Sequence, residues 1–324
     1  MSDVGIIDRA VAAAIPLVPT RLVRTFAAPY IGGETLEQAL SVVRRLNAAG
    51  LAASLDVLGE DVHDEAGVRA MVAAYRQALA ALAAGSADAG VSVKPSALGA
   101  AIDWDRCHDA IVEVLDGAAA SSAGGGRFVR LDMEESATVD GTLALYRRLR
   151  EEGRERVGIV LQARLWCTSA DVKALADLAP DVRLCKGIYL EPPSVGMQDR
   201  EAIRHSFSAL LRQLLRAGSR VAIATHDEVL VTDALAAIDE YSVPAAGYEF
   251  QMLLGVRGDL ARTLRRAGHR VRIYVPFGKD VFGYSVRRLR ENPAVAGHVA
   301  RALLADLVRG VRHGRRRPDG QGVR

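Results

Sequence analysis

Ala52-Ala53-Ser54-Leu55-Asp56-Val57-Leu58-Gly59-Glu60 is the stretch on which the fold turns. It reads as a strand, Ala52–Leu58, that ends in a charged loop and is followed by a long Ala-rich helix from Glu65 to Ala84. A strand handed to a helix in this way opens either a doubly wound sheet or a closed barrel. The doubly wound sheet normally wants a GxGxxG fingerprint after its first strand, where backbone must approach a pyrophosphate. Here that position reads Leu58-Gly59-Glu60. The expected class is therefore α/β, a (β/α)8 TIM-type barrel.

The same alternation continues along the chain. Strands are expected at Val91–Lys94, Phe128–Asp132, Val157–Gln162, Val182–Gly187, Arg220–Thr225, Gly247–Gln251 and Val271–Val275. Helices are expected at Asp105–Leu115, Val139–Glu151, Ser169–Leu178, Asp199–Ala217, Glu228–Asp239 and Asp259–Ala267. Eight strand–helix units joined by right-handed crossovers are the number that closes a barrel. Upstream, residues 1–50 read as an N-terminal helical segment with helices at Ile6–Ile15 and Thr35–Ala49 and breaks at Pro16 and Pro19. Downstream, Asp280 opens a last helix, placed over the barrel mouth, that carries Arg287-Arg288 and Glu291 and stops at Asn292-Pro293. The expected organisation is residues 1–50 helical, 51–310 catalytic barrel and 311–324 a basic, disordered tail.

Composition removes several function classes. Half of the 324 residues are hydrophobic and a quarter charged, which suits a soluble protein with a substantial core. The net charge of +3 is too small for a general nucleic-acid binder, so no nucleic-acid partner is expected. Cys107, Cys167 and Cys185 lack CxxC spacing, which fits a reducing compartment and argues against a zinc knuckle. No HxH or HExxH spacing occurs, and no metal is expected. The start Met1-Ser2-Asp3-Val4-Gly5 has no signal-peptide pattern, and no apolar run approaches the ~20 residues that span a bilayer. A cytoplasmic protein is expected, with peripheral contact at the inner face of the membrane left open.

Functional side chains of such barrels project from the C-terminal ends of strands. Those positions hold Asp56 and Glu60, Lys94, Asp132, Gln162, Arg183 with Lys186, Thr225-His226, Glu249 with Gln251, and Tyr274. Burying an unpartnered polar group costs roughly 2–7 kcal/mol, so an apolar strand ending in one needs a reason. The cations Lys94, Arg183, Lys186, Arg287 and Arg288 exceed what one small carboxylate requires, and an anionic cofactor would absorb the excess. No GxSxG elbow is present. Two chemistries stay open at this point: a Schiff-base lyase using Lys94, and a redox enzyme with a phosphate-bearing organic cofactor.

The motifs then resemble a known family. SLDVLGE (Ser54–Glu60), VSVKPSALG (Val91–Gly99), RLDMEES (Arg130–Ser136), LQARL (Leu161–Leu165), RLCKGIYLEP (Arg183–Pro192), ATHDE (Ala224–Glu228), YEFQMLLGVR (Tyr248–Arg257) and the C-terminal YVPFGKD…YSVRRLRENP stand in the order found in proline dehydrogenase, the flavin-dependent barrel of proline catabolism. The chain resembles the short monofunctional bacterial type. The resemblance implies FAD as cofactor, L-proline as substrate, Δ1-pyrroline-5-carboxylate as product and a quinone as electron acceptor. It implies that Arg287 and Arg288 clamp the substrate carboxylate with Lys94 as a third cation, and that Glu60 and Glu291 order this cluster. Tyr274 would pack over the substrate ring and Leu253 would line the pocket. Asp132 and Arg183 would be catalytic, Arg183 beside the flavin. Met133, Gln162, Lys186, Gly187, Ile188, Thr225 and His226 match flavin-contacting positions. Departures from the family pattern stand at Ile188, Leu190 and Asp227, where alanine, an aromatic residue and asparagine are usual. The resemblance leaves the oligomeric state open.

Overall fold

In the computed structural model, which describes residues 28–59, 62–120 and 126–279, strand and helix alternate as the sequence pattern predicts. The first α-helix among the described residues, α1 (Leu36–Ala48), starts at Thr35, whose side chain accepts from Gln38 N while Gln38 reaches back to the cap. Reciprocal capping of this kind satisfies two of the donors that a helix start leaves unpaired. Then follow β1 (Ala52–Val57), α2 (Glu65–Ala84), β2 (Ala89–Val93), α3 (Trp104–Ala120), β3 (Val129–Leu131), α4 (Val139–Glu151), β4 (Val157–Gln162), α5 (Thr168–Ala174), β5 (Asp181–Cys185), α6 (Arg200–Arg216), β6 (Arg220–Ala224), α7 (Glu228–Glu240), β7 (Tyr248–Leu253), α8 (Gly258–Arg266) and β8 (Val271–Phe277). The eight strands form a closed barrel in chain order. All pairs are parallel, and β8 returns to β1 with Ser54 opposite Tyr274 and Asp56 opposite Pro276.

Several expected elements have different limits: α3 runs on to Ala120 and β7 to Leu253, β5 ends at Cys185 rather than Gly187, and two further shifts have a visible local cause. The run expected to stop at Val275 continues through Pro276 to Phe277, because the carbonyls there still have takers: Pro276 O accepts from Gly32 N at 2.7 Å and Phe277 O from Leu58 N at 2.8 Å. A proline costs a strand only its donor. The helix expected over Ser169–Leu178 stops at Ala174 and gives way to a 3-10 turn at Ala176–Leu178, closed by Ala179 in the left-handed region. The expected helix at Ile6–Ile15, the last helix and the basic tail lie outside the described residues. No helix among the described residues is long and apolar enough to cross a membrane.

Strand residues alternate between two very different surroundings. One set, including Leu55, Val57, Val91, Val93, Leu131, Ile159, Leu161, Leu184, Ile223, Phe250, Met252 and Ile273, belongs to one buried apolar core with helix residues such as Val72, Leu79, Ile111, Leu149, Phe207 and Leu214. Each such side chain, fully buried, contributes about 1.5–3 kcal/mol, so the shell between strands and helices supplies the stability. The alternate set faces the lumen: Ser54 and Asp56, Ser92, Arg130, Arg183, Glu249 and Gln251, all buried. Barrels usually fill this space with branched apolar side chains. Here it holds a hydrogen-bonded polar network, and Gly158 opposite Arg130 leaves the room that the Arg130 guanidinium occupies.

Candidate active site

At the C-terminal end of the barrel the lumen network gathers side chains from six strands. Arg183, on β5, is held at three nitrogens: Nε donates to Gln251 Oε1 (2.5 Å), Nη1 to Asp132 Oδ1 (2.7 Å) and Nη2 to Ser92 Oγ (2.9 Å). Ser92 Oγ lies 3.0 Å from Ser54 Oγ. The second oxygen of Asp132 accepts from the Tyr274 hydroxyl at 2.9 Å. Arg183 also lies over the Tyr274 ring, 5.3 Å from its centroid, a cation–π contact that fixes ring and guanidinium together. Asp132 and Tyr274 therefore face one another across the lumen with Arg183 between their strands.

Beside this cluster, Lys94 Nζ donates to both oxygens of Asp56 at 2.8 Å, with side chains 8% and 0% exposed. The Tyr75 hydroxyl, from α2, reaches Asp56 Oδ1 at 3.4 Å. Burial pushes the Asp56 carboxyl up, and the Lys94 charge pulls against it. Burial and the same carboxylate push the Tyr75 phenol far above its usual range. Schiff-base chemistry needs a lysine nitrogen free to meet a carbonyl carbon, whereas Lys94 Nζ is directed at both carboxylate oxygens of Asp56. The lyase alternative loses its nucleophile in this geometry.

A second group lines the ends of β4, β5 and β6. Gln162 donates through Nε2 to Glu134 O at 2.7 Å, and Glu134 is itself held by Ser96 N (2.9 Å) and Ser96 Oγ (2.6 Å). Gln162 Oε1 is buried and has no hydrogen-bond partner. Gly187 follows β5 with φ +94°, and a Cβ there would sit 2.6 Å from that same oxygen. Only glycine tolerates both the conformation and the closeness. Lys186 pairs with Asp227 (2.6 Å), which Arg204 also holds (2.8 Å). Burial pulls the Asp227 carboxyl up, but hydrogen bonds from Arg204 and Lys186 outweigh it and bring it down to about 2. The negative charge at this departure from the family pattern is thus met by two cations.

His226 Nε2 accepts from Leu253 N at 2.9 Å, tying the end of β6 to the end of β7. An accepting Nε2 leaves the ring neutral with its proton on Nδ1. Leu253 stands opposite Tyr274 in the β7–β8 register. Thr225 Oγ1 accepts from Asp227 N at 3.2 Å. Met133 is buried just after β3, and Ile188 is half-buried after Gly187. Leu190 is 82% exposed, an apolar side chain left outside the core.

The structure thus brings Lys94, Asp132, Arg183 and Tyr274 into one cluster and sets Gln162, Lys186, Gly187, Thr225 and His226 along the adjoining strand ends. Glu60, Arg287, Arg288 and Glu291 lie outside the described residues. Glu249 needs correcting: it is the second residue of β7, bonded to Arg220, Arg270 and Arg272 deeper in the barrel, not a strand-end group. Strand-end reading passed over Ser92 and left Gln251 without a role. The period-two series Gly90-Ser92-Lys94 carried the signal for Ser92.

Comparison with known proteins agrees with this geometry. The family model described as proline dehydrogenase matches residues 39–301. The chain is 33% identical to proline dehydrogenase 1 of Bacillus subtilis subsp. natto over 281 residues, 87% of this chain and 91% of that one. It is 35% identical to a proline dehydrogenase of Deinococcus radiodurans over 276 residues, 85% and 89% of the two chains. Among solved structures, proline utilization A (PutA) from Bdellovibrio bacteriovorus, inactivated by N-propargylglycine, superposes with a TM-score of 0.77 at 26% identity. That match covers 83% of this chain and 33% of the other, so the chain spans about a third of that solved protein. The chain belongs to the proline dehydrogenase family and is an oxidoreductase.

Proposed function

We propose that this protein oxidises L-proline to Δ1-pyrroline-5-carboxylate, with FAD supplying the oxidising chemistry as hydride acceptor and a quinone taking the electrons onward. The observation that carries the reading is the Arg183–Asp132–Tyr274 cluster beside the Lys94–Asp56 pair at the C-terminal end of the barrel. Both oxygens of Asp132 are occupied by donors, so its role is to hold Arg183 and Tyr274 rather than to take a proton. Tyr274 would cover the substrate ring and Leu253 would line the pocket. Arg287 and Arg288 would bind the carboxylate with Lys94 as a third cation, and Glu60 and Glu291 would order that cluster. Amine deprotonation is then left to solvent, and the protein contributes orientation at near-attack distance.

The residues present fit a flavin. An unpaired buried acceptor, Gln162 Oε1, suits a heterocycle that offers a ring N–H, and Gly187 keeps the space beside it clear of a side chain. Met133, Arg183, Lys186, Ile188, Thr225 and His226 complete the proposed cofactor-holding set along β3 to β6. Lys186 and Arg183 supply positive charge, which favours an electron-rich reduced ring.

The test is spectroscopic. Purified protein is expected to be yellow, with the oxidised-flavin band at ~450 nm bleaching anaerobically on addition of L-proline. A colourless protein that takes up no FAD, or a yellow one that proline leaves unchanged, would contradict the reading.

A further inference from the structure

Beneath the Arg183 cluster the lumen runs on to the N-terminal end of the barrel, where a cavity of about 300 Å3 is walled in part by Arg130, Arg220, Arg270, Arg272, Asp181 and Glu249. These charges are spent on one another. Arg130 and Arg220 bind Asp181 at 2.5 and 2.8 Å, while Arg220, Arg270 and Arg272 bind Glu249 at 3.0, 3.2 and 2.7 Å. The Glu249 side chain is 1% exposed and lies on the far side of Gln251 from Arg183. Proline oxidation as described above gives it no task.

Its bonds give it one. Glu249 Oε1 accepts from Gln251 Nε2 at 2.5 Å, and Gln251 Oε1 accepts from Arg183 Nε at 2.5 Å. A glutamine amide can turn over and exchange its oxygen for its NH2. Beside a carboxylate, which only accepts, one orientation alone is stable: NH2 toward Glu249, oxygen toward Arg183. Burial by itself would push the Glu249 carboxyl up; the charge and hydrogen bond of Arg272 and the charge of Arg220 more than offset it and hold the group well below the usual range. The arginine-bound carboxylate thus sets the amide, and the amide sets Nε of Arg183. With Nε fixed, Nη1 and Nη2 fall on Asp132 and Ser92.

We propose that Glu249 and Gln251 are positioning residues for the reaction, acting through Arg183 from below without touching the substrate. The inference rests on the role assigned to Arg183 in the functional reading. An unanchored guanidinium turns about its own stem, and displacement by ~1 Å at a reacting centre can cost roughly a hundredfold.

The experiment measures proline kinetics, flavin content and thermal midpoint for Gln251→Met in two backgrounds, wild type and Arg183→Lys. Methionine matches the glutamine in length and offers neither bond; lysine has no Nε to be held. In the wild-type background Gln251→Met is expected to lower kcat/KM by about ten- to a hundredfold, chiefly in kcat, with flavin retained. In the Arg183→Lys background the same change is expected to cost less than about twofold, because there is no Nε left to position. Should Gln251→Met not fold, Gln251→Asn takes its place: it stays polar but is too short to bridge both partners, and the same pair of outcomes applies. Equal losses in both backgrounds, or none in either, would overturn the relay while leaving the functional reading intact. A wild-type protein with no proline-dependent flavin reduction would overturn the functional reading and the relay with it.

Discussion

Lys94 and Asp56 show how much a single residue's meaning depends on its neighbour. The ammonium meets both carboxylate oxygens at 2.8 Å in a place almost closed to water. Removing one partner from such a pair leaves the other charged and uncompensated, which costs about 3–5 kcal/mol, whereas removing both costs far less. Lys94→Met is therefore expected to lower the denaturation free energy by about that amount, and Lys94→Met/Asp56→Leu to regain most of it, as read from urea unfolding midpoints. Activity should stay low in both. At this scale the sequence was legible where a polar group stood toward the end of an apolar strand: Lys94, Asp132, Arg183 and Tyr274 were named from position, although Arg183 and Tyr274 lie within β5 and β8 rather than at their ends. Asp56 was named too, but not its pairing, because strand-end reading gives position and not partner. Ser92 was illegible for another reason. A serine in Val91-Ser92-Val93 is small and uncharged, and the pattern of a strand buried on both faces carries little polarity to betray which face is wet.

Elements were legible through their period and their caps, and their ends followed local partners. Asp227 caps α7 by accepting from Val229 N at 3.2 Å while also binding Lys186 and Arg204. Its carboxyl titrates at about 2 in the folded protein against 3.8 for an unperturbed aspartate. The unfolded chain thus takes up this proton first as pH falls, so the contribution of Asp227 is complete above about pH 4–5 and drains away between about 4 and 2. Asparagine caps a helix as well as aspartate does, so Asp227→Asn isolates the charge from the cap. The variant is expected to have a lower thermal midpoint than wild type at pH 6 and a shallower fall of that midpoint from pH 5 to pH 3. Parallel pH profiles for the two proteins would contradict the assignment.

For the molecule as a whole, counting strand–helix units and noting the missing glycine fingerprint sufficed to choose the barrel. What the count could not convey was the lumen's chemistry, since alternation of two buried sets is invisible to a hydrophobicity pattern unless the partners are known. The apolar shell outside the strands carries stability, and the polar network inside them carries the site. Closing the barrel links parts of the chain far apart in sequence: Arg272 Nη1 donates to Ala53 O across 219 residues. Long-range closures of this kind form late, because loop entropy is lost before the contact is gained. In pulse-labelled hydrogen exchange during refolding, amides of β1 and β8 are expected to gain protection together and last. Protection of β1 well before β8 would contradict this order.

That seam has a consequence for the protein while it is being made. Until β8 leaves the ribosome, β1 waits with an open edge and one uncovered face, the state in which nascent sheets stick to their neighbours. In this protein the waiting face is the one that bears Ser54, Asp56, Ser92 and Arg130, which water solvates readily. The polar side chains that fill the finished lumen would thus give the unfinished sheet a wettable face before the barrel closes.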